Sequence, residues 1–178
     1  TDNRSVSDVR ARVYDCVRSD PGVHFNELER TLGLATGQVQ YHLRGLTRAG
    51  RVTAQAIGDR THYFEAGRYD DWERRTLALA HRETARELLV TLSKSGQARA
   101  TTLADELGVV RSTVAWHVSR LTEAGVVEKS YDDSGRVELA LSRPDATRRL
   151  LATVEPSVSA RLLDRFIRLV DGGVYDRE

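Results

Sequence analysis

The sequence is poor in cysteine, in lysine and in long apolar runs, and each shortage excludes a class of protein. A single cysteine, Cys16, excludes an internal disulfide and a cysteine-based zinc site, and it fits a reducing, cytoplasmic location. No apolar run is long enough to span a membrane, and we expect no signal peptide. With 178 residues, 40% hydrophobic and 30% charged, the chain is predicted to form one large or two small soluble domains.

The charges are nearly balanced. The formal net charge is +1, so the chain lacks the basic excess that is typical of strong non-specific nucleic-acid binders. Lys94 and Lys129 are the only lysines among the basic residues, and this arginine usage fits phosphate recognition or simply a GC-rich genome. The sequence contains no glycine-rich phosphate loop, no nucleophile with a recognisable base and no metal-ligand spacing. We therefore expect no enzymatic activity, no cofactor and no metal.

Two stretches of the chain, 28–52 and 103–127, repeat one another. Each residue of the first stretch aligns with the residue 75 positions later, and ten of the aligned positions are identical. Self-similarity at a fixed spacing indicates that one supersecondary unit is used twice. The identical pairs are Leu28/Leu103, Leu32/Leu107, Gly33/Gly108, Val39/Val114, His42/His117, Leu46/Leu121, Thr47/Thr122, Ala49/Ala124, Gly50/Gly125 and Val52/Val127.

The apolar spacing predicts the same order of elements in both copies. In the first copy a helix opens near Ser7 or Asp8 and ends at Asp20, and a short helix ends at Gly33. A third helix, marked by Val39, Leu43 and Leu46, runs up to Gly50 and precedes a hairpin, and the second copy repeats this helix from Ser112 to Ala124. The hairpins span 51–65 and 126–142. This order predicts an α+β fold, mainly helical with small β-hairpins, made of two winged helix-turn-helix domains in tandem plus C-terminal helices.

The remaining segments suggest a connector and a terminal extension. The helix that contains Leu88, Leu89 and Leu92 could begin as early as Asp70 and form a long rigid connector. The spacing of Ser142 and Asp145 around Pro144 resembles a capping box. We place the boundaries at 1–67, 68–142 and 143–178.

A last helix, beginning at Ser157, has a wide apolar face that predicts a homodimer. The alternative is that this helix folds back near Trp72, Leu77 and Leu79. The expected dimerisation residues are Leu162, Leu163, Phe166, Ile167, Leu169 and Val170.

The polar face of each third helix carries the candidate functional residues. In a winged helix-turn-helix this helix lies in the DNA major groove, where Gln pairs with adenine and Arg with guanine. The other interpretation is a solvated face on a packed helix. The expected DNA contacts are Thr36, Gln38, Gln40, Tyr41, Arg44, Arg48 and Arg51 in the first copy, and Arg111, Ser112, Thr113, Trp116 and Arg120 in the second.

The two hairpins differ in charge. The first carries Arg60 and His62 at or near its tip, which suits a phosphate or minor-groove contact. The second carries Lys129 and Arg136 but four acidic residues, so that its sum is −2. Acidic charge opposes phosphate, and the second copy is expected to bind DNA less well or to bind protein instead.

The paired histidines and aromatics leave alternatives open. His42 and His117 occupy equivalent positions and have either a pH or ligand role or, more simply, a packing role. Tyr41 and Trp116 are equivalent aromatics that either pack at the rim of the core or stack on DNA.

The repeated motif resembles that of a known superfamily. Residues 32–50 follow LGL-x-x-x-x-V-x-YHL-x-x-L-x-x-AG, and residues 107–125 follow LGV-x-x-x-x-V-x-WHV-x-x-L-x-x-AG. Both resemble the winged-helix transcription regulators related to the ArsR and MarR families, and the tandem arrangement is similar to archaeal two-domain regulators. The resemblance implies that helices 36–49 and 111–124 recognise DNA. Ala35 and Val110 stand where a Ser or Thr cap is usual, and no ArsR-type cysteine motif is present.

These observations lead to two hypotheses. The first is a sequence-specific regulator of transcription that binds double-stranded DNA. The alternative is a winged-helix protein–protein module of a chromosome or transcription assembly, with weak affinity for DNA. The acidic second hairpin favours the alternative, and the arginines of the first copy oppose it.

Overall fold

The computed structural model describes residues 2–154, with side chains from Val6 onward. Two compact units divide between Ala78 and Leu79. The first contains α1 (Asp2–Ser19), β1 (Val23–His24), α2 (Phe25–Leu32), α3 (Thr36–Arg48), β2 (Val52–Ile57), β3 (Arg60–Glu65) and most of α4 (Asp71–Ala80). The second contains α5 (Glu83–Ser95), β4 (Gln97–Ala98), α6 (Ala100–Leu107), α7 (Arg111–Glu123), β5 (Val127–Tyr131), β6 (Val137–Leu141) and α8 (Pro144–Leu151).

Each unit contains one small antiparallel sheet, ordered β1-β3-β2 in the first and β4-β6-β5 in the second. The hairpin of the first unit pairs Val52 with Glu65 at its base and Ile57 with Arg60 at its tip. Three helices followed by a twisted hairpin are the winged helix-turn-helix arrangement, so the predicted α+β fold is confirmed. The two-residue strands β1 and β4 were not predicted, because two residues are too few to show an alternating pattern.

The third helix of each unit packs on the core of that unit through one apolar stripe. Val39, Leu43 and Leu46 are buried at 0–4% exposure and lie on one face at helical spacing. They pack with Val13, Val17, Val23, Leu28 and Val52 in the core of the first unit. In the second unit Val114, Val118, Leu121, Leu103 and Val127 occupy the equivalent positions and are also buried.

The turn between the second and third helices depends on a glycine in each unit. Gly33 and Gly108 both have φ of +62° and end α2 and α6 in the left-handed conformation. The Gly33 N–H donates to the Glu29 carbonyl at 2.9 Å. This is the predicted cap, and it reverses the chain direction without a side-chain clash.

Three predictions about the helices are wrong. Helix α1 begins at Asp2 rather than near Ser7. A single long connector is not formed, because α4 ends at Ala80 and α5 begins at Glu83 after an extended Arg82. Ser142 does not cap α8. Its hydroxyl donates to the Gly125 carbonyl at 2.6 Å, and Arg143 is the N-cap.

The unit boundary falls after the position suggested by the sequence. The sequence boundary was drawn at 67/68, whereas the first unit extends to Ala78 and includes most of α4. The side chain of Gln55 on β2 donates to the Asp71 carboxylate at 2.7 Å. The expected dimerisation helix from Ser157 lies outside the described residues.

Gly22 is packed too closely for a side chain. Its φ is +88°, and an added Cβ would lie 3.3 Å from the Ala78 nitrogen, the Leu77 carbonyl carbon and a Phe64 ring carbon. Gly33 also has a positive φ, but an added Cβ there would meet nothing within 4 Å. The two positions therefore separate the cost of the backbone conformation from the cost of crowding.

We expect Gly22→Ala to destabilise the protein more than Gly33→Ala. Both changes carry the left-handed penalty of about 1–2 kcal/mol, and only the first also forces backbone and ring apart, at a further cost of about 1 kcal/mol or more. Urea unfolding of the two variants measures the difference. Equal losses would show that the first unit relaxes around Gly22.

Asp20 is a partly buried acid at the end of α1. Burial and the neighbouring Glu27 carboxylate raise its pKa to about 7. The folded state therefore favours the neutral acid. The contribution of Asp20 to the free energy of unfolding is full below the ordinary pKa of an aspartate, and it is lost as the pH rises through the raised pKa of the folded state. Burial also raises the pKa of the nearby Cys16 thiol to about 11, so this thiol is neutral at physiological pH.

We expect the free energy of unfolding to fall between about pH 4 and about pH 8, by more than about 1 kcal/mol, through Asp20. Asp20→Asn should flatten this pH dependence, because the amide cannot ionise. Asp15→Asn changes an exposed aspartate of the same helix and is the control. Chemical denaturation at several pH values measures both, and an unchanged slope in Asp20→Asn would contradict the assignment.

Candidate nucleic-acid interface

The exposed face of α3 holds most of the candidate residues of the first unit. The residues that pack inward are Val39, His42, Leu43 and Leu46. The exposed residues are Thr36, Gln38, Gln40, Tyr41, Arg44 and Arg48. The division into a buried stripe and a polar face is the one that the periodicity predicts.

Gln38 replaces the missing helix cap. Ala35 is the N-cap residue and its methyl group cannot accept a hydrogen bond. Instead, the Gln38 side-chain oxygen accepts from the Ala35 N–H at 3.3 Å. Part of the Gln38 amide is therefore used within the protein.

Arg44 and Arg48 carry the charge of this face. Both are exposed and lie one helical turn apart. Neither has an ion pair or hydrogen bond among the residues that the structure describes. Their guanidinium groups are therefore open to an external anion.

Arg51 lies at the base of the hairpin and is partly engaged. Its guanidinium lies 4.3 Å from the centre of the Tyr14 ring. The Tyr14 hydroxyl donates to the Glu65 carboxylate at 3.0 Å, and Arg68 donates to the same carboxylate at 2.9 Å. The Glu65 carboxylate thus compensates part of the positive charge here.

The wing of the first unit, which is the hairpin formed by β2 and β3, is anchored by histidines. Arg60, at the tip, lies with its Nη1 3.1 Å from the Nε2 of His24. Because a guanidinium can only donate, His24 accepts at Nε2. His62 has its Nδ1 2.6 Å from the Gly22 carbonyl and is only 6% exposed.

The prediction that His62 contacts a phosphate or the minor groove from the wing is therefore wrong, because the ring lies inside the first unit. The register pairs His62 with Gln55, and His62 lies on the same strand face as the buried Phe64. Alternation along β3 was the signal that could have identified His62 as an inward residue. Arg60 remains half-buried at the tip.

The exposed face of α7 has a different chemistry. Arg111, Ser112 and Trp116 are exposed, and Thr113 and Arg120 are half-buried. The Arg120 guanidinium lies 4.4 Å from the Trp116 ring centre, and that of Arg82 lies 5.2 Å away. Two arginines of the second unit are thus held by one aromatic ring.

The exposed stripe of α3 contains two arginines, whereas the equivalent positions of α7 contain none. Gln40, Arg44 and Arg48 correspond to Ala115, Ser119 and Glu123. The equivalent surface therefore changes from two positive charges to one negative charge, although the backbone elements are the same length.

In the wing of the second unit, which is the hairpin formed by β5 and β6, Arg136 forms an ion pair within the protein. The Asp132 carboxylate accepts from the backbone N–H groups of Ser134 at 2.8 Å and Arg136 at 2.9 Å. It also accepts from the Arg99 guanidinium at 2.6 Å and from Arg136 Nε at 3.2 Å. These donors lower the pKa of Asp132. Lys129 remains exposed.

The histidines of the repeat pack at the same place in both units. His42 and His117 are 4% and 5% exposed, and each ring meets its aromatic neighbour edge-on, at 5.2 Å to Tyr41 and 4.8 Å to Trp116. Burial, followed by the nearby charge of Arg10, lowers the pKa of His42. The described side chains include no group of three or more histidine, cysteine or acidic residues arranged to hold a metal.

Comparison with known proteins agrees with the two-unit architecture. Residues 7–77 match a family model described as an N-terminal HTH domain, and residues 81–128 match one described as winged helix-turn-helix DNA-binding. The chain therefore contains two tandem helix-turn-helix domains. Among the described residues, no helix is long and apolar enough to cross a membrane.

One curated relative is the uncharacterized HTH-type transcriptional regulator MJ1398 of Methanocaldococcus jannaschii. It is 28% identical over 134 residues, which cover 74% of this chain and 33% of the relative. The match thus spans about a third of that protein's length.

Two solved structures are also similar. A MepR-like protein complexed with pseudoligands aligns over 61% of this chain and 86% of its own, with 18% identity and a TM-score of 0.42. The YusO protein of Bacillus subtilis aligns over 74% and 79%, with 16% identity and a TM-score of 0.39. The element order and the two family matches define the fold.

We expect Asp132→Ala to loosen the wing of the second unit, because the turn loses its shared acceptor. Asp133→Ala changes the exposed neighbouring acid and is the control. Amide hydrogen exchange of residues 131–137 should accelerate in the first variant and stay unchanged in the second. Since the pKa of Asp132 is lowered, the wild-type protection should disappear as the pH falls below the usual aspartate range. Equal exchange rates in both variants would contradict this role.

Proposed function

We propose that this protein is a sequence-specific regulator of transcription that binds double-stranded DNA in the cytoplasm, of the ArsR/MarR-like winged-helix kind. In this proposal α3 and α7 enter major grooves, and the wings lie on the minor groove or the backbone. The observation that carries the proposal is the exposed face of α3, where Gln40, Arg44 and Arg48 form one polar stripe.

The chemistry of this stripe suits a DNA groove. A glutamine amide can donate to and accept from adenine, and a guanidinium can donate twice to guanine or to a phosphate. Because Arg44 and Arg48 have no internal partner among the described residues, binding DNA breaks no ion pair. The relationship to an HTH-type transcriptional regulator supports the same role.

The first unit should supply most of the affinity. The second unit has Glu123 in place of Arg48, and its wing arginine already pairs with Asp132. Releasing Arg136 for a phosphate would leave Asp132 with less compensation close to the DNA backbone. We therefore propose that α7 contributes fewer phosphate contacts than α3.

A second candidate function is protein binding by the second unit. The exposed large apolar side chains among its residues up to Val154 are Trp116 at 43%, Tyr131 at 73% and Val137 at 40%. Tyr131 and Val137 are directly paired at the end of the wing. Apolar groups beside acidic residues fit a protein surface better than a phosphate backbone.

We expect Arg44→Ala to weaken binding to duplex DNA more than Arg120→Ala or Arg136→Ala does, because Arg44 is the one of the three without a partner in the part of the chain that the structure describes. Fluorescence anisotropy with a random duplex across a salt series measures this. The slope of log affinity against log salt should fall by about one unit for Arg44→Ala and change less for the other two.

The same experiment separates the two candidate functions. A regulator should bind random duplex at low salt and enrich a defined sequence from a random pool. Equal losses in all three variants would contradict the leading role of the first unit. Absence of binding at low salt would reject the DNA-binding proposal and favour the protein-binding one.

A further inference from the structure

The wing of the second unit has an acidic face, formed by Glu128 and Glu138. The two residues point to the same side of the hairpin, because Glu138 pairs with Ser130, two residues after Glu128. Such diagonal neighbours are about 7–8 Å apart. Among the described residues, neither carboxylate forms an ion pair or a hydrogen bond. The nearest basic residue in the chain, Lys129, alternates to the opposite face.

The exposed face of α3 has the complementary pattern. Arg44 and Arg48, here called the basic stripe, lie about 6 Å apart along the helix axis. This spacing is close to that of the two glutamates, and the long arginine side chains can adjust to the difference. Each guanidinium can therefore donate to one carboxylate, which is a stronger contact than a hydrogen bond between neutral groups.

Apolar side chains lie beside both charged surfaces. Tyr41, which is 60% exposed, comes one helical turn before Arg44 on the same side of α3. Tyr131 and Val137 are exposed in the last pair of the hairpin, beyond the acidic face. A contact that contains both kinds of group combines directional ion pairs with burial of apolar surface.

Each half of the pattern occurs in one unit only. In α7 the positions of the two arginines are occupied by Ser119 and Glu123. In the first wing the positions of the two glutamates are occupied by Thr53 and His62. The basic stripe therefore finds its complement in the second unit of another copy, and the contact joins unlike surfaces.

We propose that the basic stripe of one copy docks on the acidic face of the second wing of another copy, so that the protein self-associates when DNA is absent. Such a head-to-tail contact uses two different surfaces of the same chain. Duplex DNA and the acidic wing then compete for the same guanidinium groups. The self-contact rests on the second candidate function, protein binding by the second unit, and the competition rests on the proposed DNA binding.

The first test is sedimentation velocity of the full chain over a range of concentrations, at about 50 mM and about 500 mM salt. We expect the mass to rise with concentration at low salt and to fall at high salt, because exposed ion pairs are screened. The mass of a single copy at every concentration would overturn the proposal. So would a self-association that salt leaves unchanged, because that result requires an apolar interface elsewhere.

A charge exchange tests which residues meet. Arg44→Glu and Glu138→Arg should each weaken self-association at least about tenfold, because each places like charges opposite one another. An equal mixture of the two variants should associate again, since the unchanged stripe of one meets the unchanged wing of the other and the two reversed charges also attract. Renewed association would also show that both variants are folded.

The control is Glu106→Arg, which makes the same charge change at an exposed acid of α6. It should leave self-association unchanged. A loss equal to that of Glu138→Arg would show that the attraction depends on net charge alone and would overturn the proposal. The absence of association in the mixture would overturn it as well.

Carbodiimide labelling of carboxylates, read by mass spectrometry, tests the competition. In concentrated protein at low salt, Glu138 should react more slowly than in dilute protein, and a random duplex should restore the faster rate. Glu106 should react equally under all three conditions. If the duplex binds but Glu138 stays protected, the competition is overturned. If the charge exchange succeeds but no duplex binds at low salt, the self-contact stands and the proposed DNA binding fails.

Discussion

The arrangement of each unit depends on the burial of one apolar stripe of its third helix. In the first unit Val39, Leu43 and Leu46 are almost completely buried, and burial of each such side chain contributes about 1.5–3 kcal/mol. With 3.6 residues per turn, that burial determines the rotation of α3 about its axis. The rotation decides that Gln40, Arg44 and Arg48 face outward, and the turn at Gly33 decides where the helix begins.

The two units share the buried apolar stripe of the third helix but differ on its exposed face. This difference suggests that the same fold binds different partners in the two units. The buried positions of α3 and α7 keep their apolar character, and the buried histidines keep their aromatic neighbours. The outward positions exchange Arg44 and Arg48 for Ser119 and Glu123. A change of surface charge at constant backbone alters partners with little effect on the fold, because exposed charges contribute little to stability.

Each wing is held by one side-chain contact from the same position of the fold, but the chemistry of the contact differs between the units. The residue before the second helix reaches the wing in both units, as His24 to Arg60 and as Arg99 to Asp132. In the first unit this contact leaves the net positive charge of Arg60 at the tip. In the second unit one carboxylate, that of Asp132, is shared by two guanidinium groups, so the wing arginine is engaged and partly compensated. Local ion pairing thus decides whether the wing arginine already has an anionic partner within the protein.

Much of this organisation follows from the sequence alone. The constant spacing of the repeat, the apolar stripes and the glycine caps determine two helix-turn-helix units with hairpins, and the helical period separates Leu43 from Arg44. The break between α4 and α5, the inward ring of His62 and the pairing of Arg136 with Asp132 were decided only by the tertiary structure. These features depend on which face of a strand is covered and on distances between side chains far apart in the chain, and a one-dimensional pattern contains neither.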